Sequence, residues 1–88
     1  MREFEIKPEL MKILKKLVKK DRFTYEKIMK KVEEIINSDN IDHYKNLKYD
    51  FRDWKRVHIG HFVLVFSHNK LSDTVIFFHY EHHDNIYR

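Results

Sequence analysis

Halfway along this chain of 88 residues the hydrophobic period changes. Between Leu10 and Ile36 the apolar residues recur every three to four positions, and from Trp54 onward they arrive in short runs of Val, Ile and Phe. The first pattern makes one-sided helices and the second makes strands, so the two halves have to cover one another. Leu10, Ile13, Leu14, Leu17 and Val18 predict a helix from Pro8 to Lys20, with the proline at a first turn that needs no N–H. Asp21 is placed to cap a second helix, carried by Tyr25, Ile28, Met29, Val32, Ile35 and Ile36 and ended by the polar run Asn37 to Asn40. So short a connection forces the two helices antiparallel.

Three strands follow. WKRVHI, FVLVF and TVIFFHY are separated by Gly60-His61 and by the polar stretch His68 to Asp73, which reads as consecutive antiparallel strands. FVLVF shows no alternation, so it belongs at the sheet centre, covered on both faces. REFEI at the start alternates, with Phe4 and Ile6 on one side, and reads as a short strand joining the same sheet. The expected fold class is α+β: an N-terminal strand and an antiparallel helical hairpin packed on one face of a small, mainly antiparallel sheet, in the order β-α-α-β-β-β. A chain of this length closes a single core, so residues 1–88 are expected to form one domain.

Composition narrows the chemistry. With no cysteine there is no disulfide, no thiolate metal site and no thiol nucleophile. No apolar stretch approaches a spanning helix and the start lacks a signal-peptide core, so the expected location is cytoplasmic, without a membrane partner. Residues 1–36 carry 11 Lys/Arg against 7 Asp/Glu, whereas residues 37–88 carry 7 against 7 and hold all seven histidines. Basic helices point to an anionic partner, although any one lysine on an outer helix face is ordinarily just solvated.

In WKRVHI, Val57 and Ile59 must face the helices, which turns Arg56 and His58 to the opposite, open face together with the polar segment Tyr44 to Arg52. The last strand brings His82, His83, Asp84 and Tyr87 to its end. An arginine, imidazoles and a phenol on one face are the parts needed to hold a phosphodiester and move protons near neutral pH. Each also has an ordinary reading, Arg56 as a cross-strand ion-pair partner and Tyr87 as a packing anchor. The pairs His58/His61 and His79/His82/His83 invite a metal, but imidazoles two or three apart on a strand do not converge as they do one helical turn apart; no metal or other cofactor is expected. In DHYKNLKYDFRDWKR, basic and aromatic residues interleave, which suits RNA and equally suits a core.

The stretch LKYDFRDWKRVHIGHFVLVF resembles the RelE/ParE toxin superfamily, with its "LK", basic strand, R-V-x-V/I-G and following aromatic-apolar run. EHHDNIYR resembles the closing pattern of that family, and the combination looks most like its archaeal RelE-type branch. The resemblance implies a type II toxin that cuts messenger RNA in the ribosomal A site and is silenced by a small RelB-like antitoxin, with operator DNA reached only through that antitoxin. By position it implies Arg56, His58, His83 and Tyr87 as catalytic groups, and Lys45, Lys48, Arg52, Lys55, His82 and Arg88 as RNA contacts. Which of the proton-transfer groups is acid and which is base is left open. Two departures stand out: Val63 occupies a position where strongly active members keep an arginine, and His83 replaces an arginine with an acid/base. A ParE-like inhibitor of DNA gyrase and an antitoxin-binding module without strong catalysis are the competing readings.

Overall fold

The computed structural model describes residues 2–47 and 54–86. Strand β1 (Glu3–Ile6) leads into helices α1 (Pro8–Lys20) and α2 (Arg22–Ile36), followed by a single 3-10 turn at Ile41–His43. Strands β2 (Lys55–Ile59), β3 (Phe62–Asn69) and β4 (Thr74–His82) come next, and a short helical turn, α3 (His83–Ile86), follows β4 directly. The hairpin ends as its sequence requires. Asp21 is at once the C-cap of α1 and the N-cap of α2, its carboxylate accepting from the Thr24 N–H at 3.1 Å and from the Thr24 hydroxyl at 2.6 Å.

The four strands are ordered β1-β4-β3-β2. β2/β3 and β3/β4 are antiparallel, while β1 lies parallel to β4, pairing Phe4 with Val75 and Ile6 with Phe77. The β2–β3 hairpin turns through Gly60 and His61. Gly60 has φ +64° there, a left-handed conformation that glycine adopts without a Cβ penalty.

The helices cover one face. Leu10 and Leu14 of α1 and Ile28, Val32, Ile35 and Ile36 of α2 bury against Ile59, Leu64, Phe66, Val75, Phe77 and Tyr80 of the sheet. Fully burying an aliphatic or Phe side chain is worth about 1.5–3 kcal/mol, so this layer carries most of the stability. Tyr44 belongs to it as well. Expected on the open face, it is instead buried beneath α2, edge-on to Phe66 at 5.5 Å, with its hydroxyl donating to Glu34 Oε2 at 2.8 Å.

β4 departs from simple alternation. Val65 pairs with His79 but Phe66 with Phe77, so Phe78 is an extra residue opposite the Val65/Phe66 step. This bulge is why Phe77 and Tyr80 both reach the helix-side core, and it leaves His79 and Glu81 on the rows of the opposite face. The other differences are at the ends. His68, expected in a loop, lies within β3 and its imidazole bonds Asp73 at 2.8 Å; the chain after His82 becomes helical, with the Asp84 N–H donating to His82 Nδ1 at 3.2 Å.

Candidate functional site

On the face away from the helices the register builds two rows: Arg56–Val65–His79 and His58–Val63–Glu81. Side chains directly opposite one another in a sheet point to the same side, so Arg56, His58, His79 and Glu81 share this face. α3 completes it. The His83 N–H donates to the His61 carbonyl at 2.9 Å, tying the first residue of α3 to the β2–β3 turn, and the His83 ring lies 5.6 Å from that of His58.

The floor between these groups is apolar. Leu47 and the partly buried Trp54 pack on Val63 and Val65, both of which are fully buried. Trp54 also stacks on Phe78 at 4.7 Å and 15°. Residues 45–47 lie along the outer edge of β2. The Arg56 N–H donates to the Lys45 carbonyl at 2.9 Å and the Leu47 N–H to the Trp54 carbonyl at 2.8 Å, so this segment both caps an exposed edge and fixes Lys45 near the site.

The electrostatics of the cluster act on His58. Its pKa is lowered, first by partial loss of water against the sheet and then by the positive charges of Arg56, His83 and Lys45. His58 is therefore a neutral imidazole at neutral pH, able to accept a proton. A proton on His83 helps to keep it so. The two rings, 5.6 Å apart, lie on the face that carries Arg56.

The expected residues divide into three groups. Arg56, His58, His83 and Lys45 are brought together. Lys55 and His82 are not, because alternation turns each of them to the other side of the sheet. Lys55 Nζ is held by the Tyr44 carbonyl at 3.2 Å and Asn46 Oδ1 at 3.0 Å, with Asp42 at 3.9 Å; His82 lies edge-on to Phe62 at 5.4 Å and caps α3. Lys48, Arg52, Tyr87 and Arg88 lie outside the described residues. His79 and Glu81 join the face without having been foreseen there. Finding them needed the bulge, since strict alternation from Val75 and Phe77 would have put both inside.

Among the described residues, no cluster of three or more His, Asp or Glu side chains is arranged to hold a metal ion, and no helix is long and apolar enough to cross a membrane. The groups present can bind an anion and exchange protons. Comparison with known proteins places the fold. No protein-family model matches the sequence. A protein of Methanocaldococcus jannaschii described as "Putative toxin RelE4" is 52% identical over 89 aligned positions, covering 100% of this chain and 93% of its own length. An uncharacterized protein of Methanosarcina mazei is 45% identical, covering 94% of this chain and 95% of its own. The crystal structure of the isolated Escherichia coli RelE toxin superposes with a TM-score of 0.73 over 93% of this chain and 84% of that one, at 17% identity, which is a likeness of fold. With the first relative matched end to end and the fold that of RelE, the chain belongs to the RelE toxin family, in its archaeal branch.

Proposed function

We propose that this chain is the toxin of a toxin–antitoxin pair, and that it cuts messenger RNA in the ribosomal A site in the cytoplasm until a RelB-like antitoxin covers it; operator DNA is met only through that antitoxin. The observation that carries the reading is the pairing of His58 with His83 at 5.6 Å on the face that also holds Arg56. His58, kept neutral, takes the proton from a messenger 2'-OH. The 2'-oxygen then attacks the adjacent phosphorus and the bond from phosphorus to the 5'-oxygen breaks. A proton from His83 or Tyr87 goes to that leaving oxygen, giving a 2',3'-cyclic phosphate and a 5'-hydroxyl. Arg56 and Lys45 offset the charge growing on the phosphate, which is the larger task in such reactions.

A second reading has an observation of its own. Val63 is fully buried beneath Leu47, so a position that resembles an arginine site in active members carries packing instead of charge. Losing one such donor costs on the order of a hundredfold in rate, which leaves room for a module that binds antitoxin and cuts weakly.

The deciding experiment adds the purified chain to ribosomes programmed with a defined messenger and maps new 3' ends by primer extension. Cuts confined to the A-site codon, absent without ribosomes and lost in His58→Ala and His83→Ala, are the expected result. An intact messenger would overturn the nuclease reading in favour of the binding module, and DNA damage in arrested cells with whole messenger would favour gyrase.

A further inference from the structure

His58 belongs to two surfaces. Besides the open face, it lines a cleft of about 350 Å3 between the edge strand β2 and helix α2, together with Ile59, Lys27, Lys30, Lys31 and Glu34. The three lysines stand at i, i+3 and i+4, so they leave one side of α2 as a continuous row. Glu34 is the one carboxylate in this lining, and it is already engaged. It accepts from the Tyr44 hydroxyl at 2.8 Å and from Lys31 Nζ at 3.3 Å, and these bonds hold its pKa below the usual carboxylate range. Three ammonium groups against one committed carboxylate leave the cleft cationic. At the N-terminal end of the row, Lys27 lies 5.0 Å over the ring of Phe23, an aromatic that is 72% exposed. Lysines in file with an open aromatic beside them are what a single-stranded polynucleotide recognises, through its phosphates and its bases in turn.

We propose that this cleft is a second RNA site, in which phosphates of a strand passing His58 and crossing the β2 edge lie against Lys27, Lys30 and Lys31. The proposal rests on the RNA-binding half of the function proposed above and does not require that the RNA be cut. It separates these lysines from those of α1. Lys12, Lys16 and Lys19 are exposed on the neighbouring helix and line neither this cleft nor the His58 face.

The test compares two full-length variants of equal charge: Lys27→Gln/Lys30→Gln/Lys31→Gln, and Lys12→Gln/Lys16→Gln/Lys19→Gln as control. Dissociation constants are measured against KCl concentration for a single-stranded RNA oligonucleotide and, separately, for ribosomes, with circular dichroism to check folding. Each phosphate contact to a single strand contributes about 0.7 to the slope of log K against log salt, so the cleft variant is expected to lose roughly 2 from its slope and the control nothing. A loss with the free oligonucleotide identifies the messenger strand as the occupant. A loss only with ribosomes identifies ribosomal RNA. Equal losses in both variants, or none in either, would overturn the proposal, as would a cleft variant that keeps its RNA slope but no longer binds the antitoxin. A wild-type chain that shows the cleft-dependent slope and yet leaves messenger whole would sink the cleavage reading and leave this one standing.

Discussion

Replacing Tyr44 by phenylalanine removes a single oxygen, and the structure gives the consequence at each pH. The Tyr44 ring is buried against Phe66 and its hydroxyl donates to the Glu34 carboxylate, so ionising it would leave a phenolate partly stripped of water beside a like charge. Burial first, and Glu34 second, push its pKa up from 10.0 to about 12. A group whose folded pKa is raised contributes stability that is complete below its unfolded pKa and is lost as pH rises through the folded value. Two units correspond to about 2.7 kcal/mol in full, of which about 1.4 kcal/mol is gone at pH 11. The phenylalanine variant lacks this loss. At pH 7 it forgoes only the hydrogen bond to an exposed carboxylate, about 1 kcal/mol. Urea unfolding at pH 7, 9, 10 and 11 should therefore show wild type ahead by about 1 kcal/mol at pH 7 and 9, with the difference gone by about pH 11. Absorbance titration of the tyrosinates should show one phenol fewer ionising above the ordinary range. Parallel curves for the two proteins through pH 11 would refute the coupling of Tyr44 to Glu34.

Leu47→Ala should cost about 2 kcal/mol, the low end for a buried leucine because its cluster is small; a thermal melt should fall by roughly 8–16 °C, and a change under 2 °C would mean that Val63 and Val65 are covered by something else. The acid limb of cleavage in the proposed reaction should lie below that of an ordinary imidazole, and Lys45→Gln, by removing a positive charge near His58, should move that limb to higher pH; imidazole NMR titration reads the same shift without turnover. Asp73 is held below the usual carboxylate range, chiefly by the hydrogen bond from His68 and also by Arg2. Its contribution is present above the unfolded carboxyl pKa and lost as pH falls through the folded one, so Asp73→Asn should flatten the acid limb of stability in urea midpoints measured below pH 6, and an unchanged limb would dismiss the network.

The helical hairpin could be read almost residue by residue, because period, proline and cap are local and act within one turn. The central place of FVLVF was also legible, since only a strand covered twice can omit polar residues. The antiparallel order of the last three strands was legible too, but local pattern could not supply the partner of β1 or the register within β4. The parallel contact of β1 with β4 joins the two ends of the fold and leaves no mark on either strand. The bulge at Phe78 inserts one residue and exchanges the faces of everything after it, which hid Glu81 and His79 while leaving Arg56 and His58, on the unbulged β2, correctly placed. Tyr44 was assigned to the open face because its neighbours are polar. Burial of its ring against Phe66 and a carboxylate within reach of its hydroxyl were tertiary facts.

The buried Val63 bears on how the proposed cleavage would work. An arginine there would stand between His58 and Glu81 and meet the phosphate from the sheet floor. With valine in its place, the charge on the phosphorane is left to Arg56 and Lys45 at one side, and more of the barrier must be lowered by proton transfer. Such a site depends on the protonation state of its two imidazoles more than one built around fixed guanidinium groups. His58 loses function when protonated, so the rate should fall on the acid side of its working pH window. A relative with arginine at both positions would keep a broader one. Moving the charge to the strand's path beyond the site, along the lysines of α2, compensates in binding without restoring the missing contact in the transition state, so KM should respond to the α2 lysines and kcat to His58 and His83.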